Sequence, residues 1–355
     1  MSMRRRYRTA VEEGFPDEIS VKIGNDERLY RKAMSLRYGE NPHQPAAFYS
    51  PAEGPLTVGG LKLLKTGKSG LSMTNVQDVD NAMRIVGFFG EAACAVMKHV
   101  NPSGAAVRNK PSEPLREVYK KARDCDALAA FGSVVGFNVP VDVGTAEEIM
   151  SSYVEAVVAP GYDPGCMAHF EEKKDIRVMQ VTGLDRISRW AGDPPEPLDI
   201  AVMMDGSLAL QAPMLTKIRG PGDLRWVTRR QGTEQEARDL LFSWYVCMNV
   251  RSNGVVLSRG GATIGVGTGQ QDRVTAVKLA LEKAELRGHR EEVPGSVLAS
   301  DGFFPFRDSV ELLAEHGVAA CVQPGGSVQD GEVIEACDEA GIAMAFTDER
   351  CFRHF

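Results

Sequence analysis

The feature that most constrains this chain is a recurring unit. A short, wholly apolar run breaks into polar, glycine- or proline-bearing residues, and a stretch with helical spacing follows. Such runs fall at residues 92–97, 134–137, 156–159, 254–257, 297–299, 319–322 and 343–346. Runs this short and this apolar suit strands buried on both faces of a sheet. Residues 115–122, 145–153, 237–250, 273–287, 309–316 and 331–340 read as helices, with Thr145 as the N-cap of the second. So does the stretch from Ser72, where Val76, Val79, Ala82, Ile85 and Val86 recur at helical spacing. This alternation predicts an α/β fold of three layers, α/β/α, around a mostly parallel sheet. The run at 92–97 reads as a parallel strand, with Pro102 and Gly104 breaking the chain into a loop. Ser258-Arg-Gly-Gly261 lies between two apolar runs and signals a hairpin.

At 355 residues the chain is longer than one core usually serves. The proline- and glycine-rich stretch Ala191-Gly-Asp-Pro-Pro-Glu-Pro197 is the natural boundary. The expected organisation is a polar leader or linker over 1–33, a first subdomain over 34–195 and a second over 196–355. A net charge of −7 supplies no basic field for nucleic acid. Arg4-Arg5-Arg6 reads as a solvated terminus. No apolar run approaches the roughly 20 residues of a membrane span, and no apolar stretch follows the first arginines as in a signal peptide. Seven scattered cysteines without a C-x-x-C pair point to a reducing cytoplasm and away from structural zinc.

The chemistry is concentrated in four polar clusters. They are Arg37-Tyr-Gly-Glu-Asn-Pro-His-Gln44, Lys98-His-Val-Asn-Pro-Ser-Gly104, Ser252-Asn253 leading into Ile264-Gly-Val-Gly-Thr-Gly-Gln-Gln-Asp-Arg273, and Ser300-Asp-Gly-Phe-Phe-Pro-Phe-Arg-Asp308. Polar loops at strand ends are where scaffolds carry function. Lys98 and His99 end a buried strand, where a histidine can take a proton and an ammonium can meet developing negative charge. By themselves they read more readily as ordinary surface loop residues. Gly265-Val-Gly-Thr-Gly-Gln270 is only a fragment of a dinucleotide fingerprint. Thr66-Gly-Lys-Ser69 is not a P-loop, because Lys62 stands where its first glycine belongs.

These four clusters, in this order, resemble the formyltransferase half of the AICAR transformylase/IMP cyclohydrolase family, from about residue 15 to the end. The resemblance implies two cytidine-deaminase-like subdomains. It implies none of their zinc, since P-C-x-x-C is missing. The activity implied is formyl transfer from 10-formyltetrahydrofolate to the 5-amino group of AICAR in purine biosynthesis. Too few residues precede Arg37 for a cyclohydrolase half, so a stand-alone transformylase without that second activity is expected. By the resemblance Lys98, His99 and Asn253 are catalytic. Arg37, Tyr38, Asn81, Arg350 and Phe352 bind AICAR. Arg273, Val274, Pro305, Phe306 and Asp308 border the folate, although Asp308 reads equally as an N-cap. Potassium near Ser252 and Asp301, and a homodimer with shared sites, are also implied. The competing readings are a nucleotide-binding paralogue without catalysis and a formyltransferase using another donor.

Overall fold

The computed structural model describes residues 9–67, 69–194 and 198–354. Arg4-Arg5-Arg6 and the expected subdomain boundary at 195/196 lie outside the described residues. Three N-terminal strands, β1 (Glu18–Ile23), β2 (Asp26–Ser35) and β3 (Ala47–Pro51), form a small antiparallel sheet. Part of the stretch read as a polar leader is therefore paired structure. Its alternation of exposed and half-buried residues lets a mostly polar strand hold one face inward.

The main sheet has twelve strands. Its first half contains β4 (Lys62–Lys65), β5 (Ala93–Lys98), β6 (Asn101–Val107), β7 (Ser133–Phe137), β8 (Val154–Ala159) and β9 (Arg177–Gln180). A separate hairpin, β10 (Asp199–Val202) and β11 (Leu208–Gln211), follows. The second half contains β12 (Arg225–Trp226), β13 (Val255–Arg259), β14 (Ala262–Gly267), β15 (Val297–Ser300), β16 (Ala320–Gln323) and β17 (Ala343–Phe346). The order is β12-β17-β16-β15-β13-β14-β6-β5-β7-β8-β9-β4.

Helices α1 (Met73–Val86) and α5 (Glu234–Cys247) pack on one face over a core shared by both halves. On the other face α2 (Leu115–Asp124), α3 (Val143–Met150) and α4 (Cys166–Glu171) cover one core. Helices α6 (Arg273–Leu286), α7 (Asp308–Glu315) and α8 (Asp330–Ala340) cover another. The three layers are those expected.

The sheet is mixed rather than mostly parallel. Only β7-β8-β9 and β15-β16-β17 run parallel; the other main-sheet pairs are antiparallel. The run at 92–97 is antiparallel to both neighbours, β6 and β7. Helices on both faces explain its apolarity without parallel pairing. Pro102 and Gly104 lie within β6. A register shift accommodates Pro102. Gly104 admits a helix, since a Cβ there would sit 2.1 Å from the Ala122 carbonyl oxygen. Helix α3 begins before Thr145: Asp142 caps it by accepting the Thr145 amide at 2.7 Å. Asp308 is the first residue of α7, and Arg307 occupies the N-cap position.

The two halves repeat one another. They have matching strand order on either side of the β6–β14 pair, with α1 matching α5. Ser72 and Thr233 cap α1 and α5 in the same capping-box manner, and Asp78 and Asp239 are each the sixth helical residue. A single numbering offset relates these pairs and the hairpin turns that follow them.

Candidate active site

Strand β5 returns as β6 through two residues, His99 and Val100, both left-handed at φ 53° and 66°. The Val100 amide donates to Asp78 Oδ1 on α1 at 2.6 Å. Asp78 is buried, and burial pushes its carboxyl up to about 7 against the pull of the Val100 amide and the Lys98 charge. His99 is exposed at the turn. Partial desolvation and neighbouring Lys98 hold its imidazole below the ordinary histidine value, with Glu155 opposing them. His99 is thus biased toward the neutral, proton-accepting form. Lys98 Nζ donates to the Gly132 carbonyl at 2.8 Å.

Helix α1 carries a polar stripe, Asn75, Asp78 and Asn81, three residues apart and buried among Val76, Val79 and Ala82. Asn81 Nδ2 donates to its own helix at Gln77 O, 2.8 Å away, while its buried Oδ1 has no partner. A cavity of about 770 Å³ opens beside this stripe. His99, Asn81, Asn101, Arg251 and Arg353 are among its lining residues. Asn101 Oδ1 accepts the Arg251 amide at 3.0 Å, tying the His99 hairpin to the segment before β13.

Arg37 and Tyr38 form a second group. The Arg37 guanidinium is buried, lies 4.6 Å from the Tyr38 ring centroid and donates to its hydroxyl at 3.1 Å. Glu155 Oε1 lies 3.5 Å from Arg37 and 3.3 Å from both Arg177 and Asn75. A guanidinium fork beside a phenol hydroxyl suits an anion such as phosphate.

A third group centres on Arg273. Its guanidinium is buried and turned inward rather than presented to a ligand. It donates to Asn253 Oδ1 at 2.7 Å and Gly254 O at 3.1 Å, and pairs with the fully buried Asp301 at 2.6 Å. Asn253 Nδ2 donates to Gln270 O at 2.9 Å. Phe352 lies beside two guanidiniums, Arg350 at 4.4 Å and Arg273 at 5.8 Å. Gly302 makes room for them, since a Cβ there would meet Phe352 Cε1 at 2.4 Å and Arg273 Nη2 at 2.6 Å.

The residues proposed for potassium divide. Ser252 Oγ is buried without a partner, but Asp301 already holds a guanidinium and accepts the Gly254 amide at 2.8 Å. The pair with Arg273 leaves Asp301 little net charge for a cation, although its buried Oδ1, like Ser252 Oγ, has no hydrogen-bond partner. Among the described residues no group of three or more His, Cys, Asp or Glu side chains could hold a metal.

Val274, the second residue of α6, is half-buried, and Pro305 and Asp308 are half-buried around the start of α7. Phe306 is 59% exposed. The structure therefore joins His99 with Asn81, Arg37 with Tyr38, and Asn253 with Arg273, Asp301 and Phe352, in three groups linked through Glu155 and the Asn101–Arg251 contact. Asn253 and Phe352 do not line the His99 cavity of their own chain. Sequence reasoning passed over Asp78, Glu155, Arg177, Arg251 and Arg353. The polar stripe interrupting the apolar face of α1 was the available signal for Asp78.

A family model described as the AICARFT/IMPCHase bienzyme matches residues 2–283. The chain is 42% identical over 330 residues to the bifunctional purine biosynthesis protein PurH of Roseobacter denitrificans, covering 91% of this chain and 60% of the relative. It is 40% identical over 347 residues to the protein of that name from Persephonella marina, covering 97% and 62%. For Anaeromyxobacter dehalogenans the identity is 41% over 329 residues, covering 92% and 60%. The chain spans about 60% of the length of these curated relatives. With the family model matched over most of its length, this chain belongs to the AICARFT/IMPCHase bienzyme family.

Proposed function

We propose that this chain is an AICAR formyltransferase, moving a formyl group from 10-formyltetrahydrofolate to the 5-amino group of AICAR in purine biosynthesis. The observation that carries this reading is a proton-accepting His99 beside Lys98, on a constrained turn at the mouth of a cavity. The AICAR amine is a weak nucleophile because its lone pair is delocalised toward the carboxamide. His99 takes a proton from it as the nitrogen bonds to the formyl carbon. Lys98 and Asn253 stabilise the tetrahedral oxyanion; loss of one such donor costs about 100- to 1,000-fold in rate. As the carbon–N10 bond breaks, the proton on His99 passes to the departing folate nitrogen.

Arg37 and Tyr38, with Arg350, hold the 5′-phosphate. Asn81, whose Oδ1 has no partner, accepts from the carboxamide, and Phe352 packs on the heterocycle. Val274, Pro305, Phe306 and Asp308 border the folate, and Arg273 supports Asn253 and Phe352 from behind. The proposed setting is the cytoplasm, and the proposed assembly is a homodimer. No helix among the described residues is long and apolar enough to cross a membrane. The test is turnover of AICAR with 10-formyltetrahydrofolate, followed by folate absorbance. Purified, folded protein that binds both compounds but yields no formyl-AICAR would refute the reading.

A further inference from the structure

The turn that presents His99 occurs twice in this chain, and only one copy is made of glycine. In the second half β13 and β14 are joined by Gly260 and Gly261, at φ 58° and 72°. Both amides donate to one helix carboxylate, Asp239 on α5, at 2.9 and 2.8 Å. In the first half the matching positions are His99 and Val100, in the same left-handed conformation. The matching carboxylate is Asp78, which accepts the Val100 amide at 2.6 Å. Glycine enters this region freely, whereas a β-branched valine almost never does. Two such residues in succession persist only where their surroundings impose the conformation.

We propose that Asp78 is a positioning residue, which clamps the His99–Val100 turn through the Val100 amide and so holds the His99 imidazole at the cavity. The repeat explains the arrangement. One half keeps the strain-free version, with two glycines under Asp239. The other half replaces the glycines with a histidine and a valine under the same carboxylate. Lys98 and Glu155 are the charged groups acting on Asp78, and the His99 backbone also favours its ionised form. Burial works against its ionised form, yet a carboxylate is retained there. The role given to His99 rests on the formyl-transfer reading; the clamp does not.

The experiment combines crystal structures and kinetics of Asp78→Ala, Asp78→Asn, Val100→Gly and the Asp78→Ala/Val100→Gly double variant. In Asp78→Ala the turn should leave the left-handed region, and kcat should fall about 100-fold, as misplacement of a reacting group by an ångström does. The KM for AICAR should stay within about threefold, because the change acts on the reacting geometry. Glycine at position 100 should restore both turn and turnover in the Asp78→Ala background. Asp78→Asn keeps an acceptor oxygen and should retain most of kcat. Asp239→Ala should leave kcat unchanged, since its glycines need no clamp.

An Asp78→Ala variant with an unchanged turn and wild-type kcat would overturn the proposal, as would failure of Val100→Gly to rescue. If Asp78→Ala alone does not fold, the double variant decides: recovery of folding and turnover supports the clamp, and no recovery rejects it. If the wild-type protein shows no formyl transfer, the functional reading fails. The φ angles of the variants then still decide the clamp.

Discussion

Asp78 stays protonated in the folded chain up to about 7, whereas an unfolded chain releases that proton near the ordinary 3.8. Between those values the folded state binds more protons than the unfolded one. Stability therefore falls as pH rises through that window and levels off above it. Asp78→Asn removes the penalty, so its melting temperature should exceed wild type at pH 8, with the advantage gone at pH 4. The ceiling is about 4 kcal/mol, at ~1.4 kcal/mol per pH unit. Equal gains at both pH values in thermal melts would refute the assignment. A carboxylate that costs stability where it is kept fits a residue retained for positioning. For His99 the sign is opposite. Its depressed value keeps the imidazole neutral at pH 7 and places the acidic limb of kcat/KM below the usual 6.5. Lys98→Met removes one cause of that depression, so the limb should move upward in the residual activity. His99→Ala should lower kcat by about 100- to 10,000-fold with AICAR affinity nearly unchanged, measured by turnover and calorimetry.

At the scale of elements, the loop after β15 brings Phe352 and Arg273 together only because residue 302 has no side chain. Gly302→Ala should push the Phe352 ring from Arg273 and loosen Asn253. The expected result is a severalfold fall in kcat/KM and a lower melting temperature, since overpacking a closed site commonly costs about 1–3 kcal/mol. Unaltered kinetics would separate this network from the reaction. The main helices and buried strands were legible because apolar spacing reports burial, and the four clusters were legible because they are polar where burial gives no reason for polarity. Strand direction was not. Residues 92–97 are covered by helices on both faces, so their composition is the same whether neighbours run parallel or antiparallel. The grip of Asp78 on Val100 was hidden for a related reason: it joins residues far apart in sequence through a backbone amide, which carries no residue-type signature. The resemblance places Arg273 beside the folate, but its partners Asn253 and Asp301 come from two other strand ends and draw its guanidinium inward.

At the scale of the whole molecule, the proposed site residues do not all line one cavity of a single chain. His99 and Asn81 share a cavity that Asn253 and Phe352 of the same chain do not line. The β10–β11 hairpin is a separate two-stranded sheet whose Val202 and Leu208 are 70% and 63% exposed, apolar surface that a second copy could cover. Both features fit a two-fold homodimer in which the Asn253 group of one subunit completes the His99 cavity of its partner. Complementation tests this directly. His99→Ala and Asn253→Ala proteins should each be nearly inactive alone. When they are mixed and co-refolded, half the sites in each mixed dimer would carry both residues intact. With random pairing, activity should return to roughly a quarter of wild type. Sedimentation must confirm that mixed dimers form. Mixed dimers without recovered activity would place His99 and Asn253 in one subunit's site. A fully active monomer at assay concentration would reject the shared site altogether.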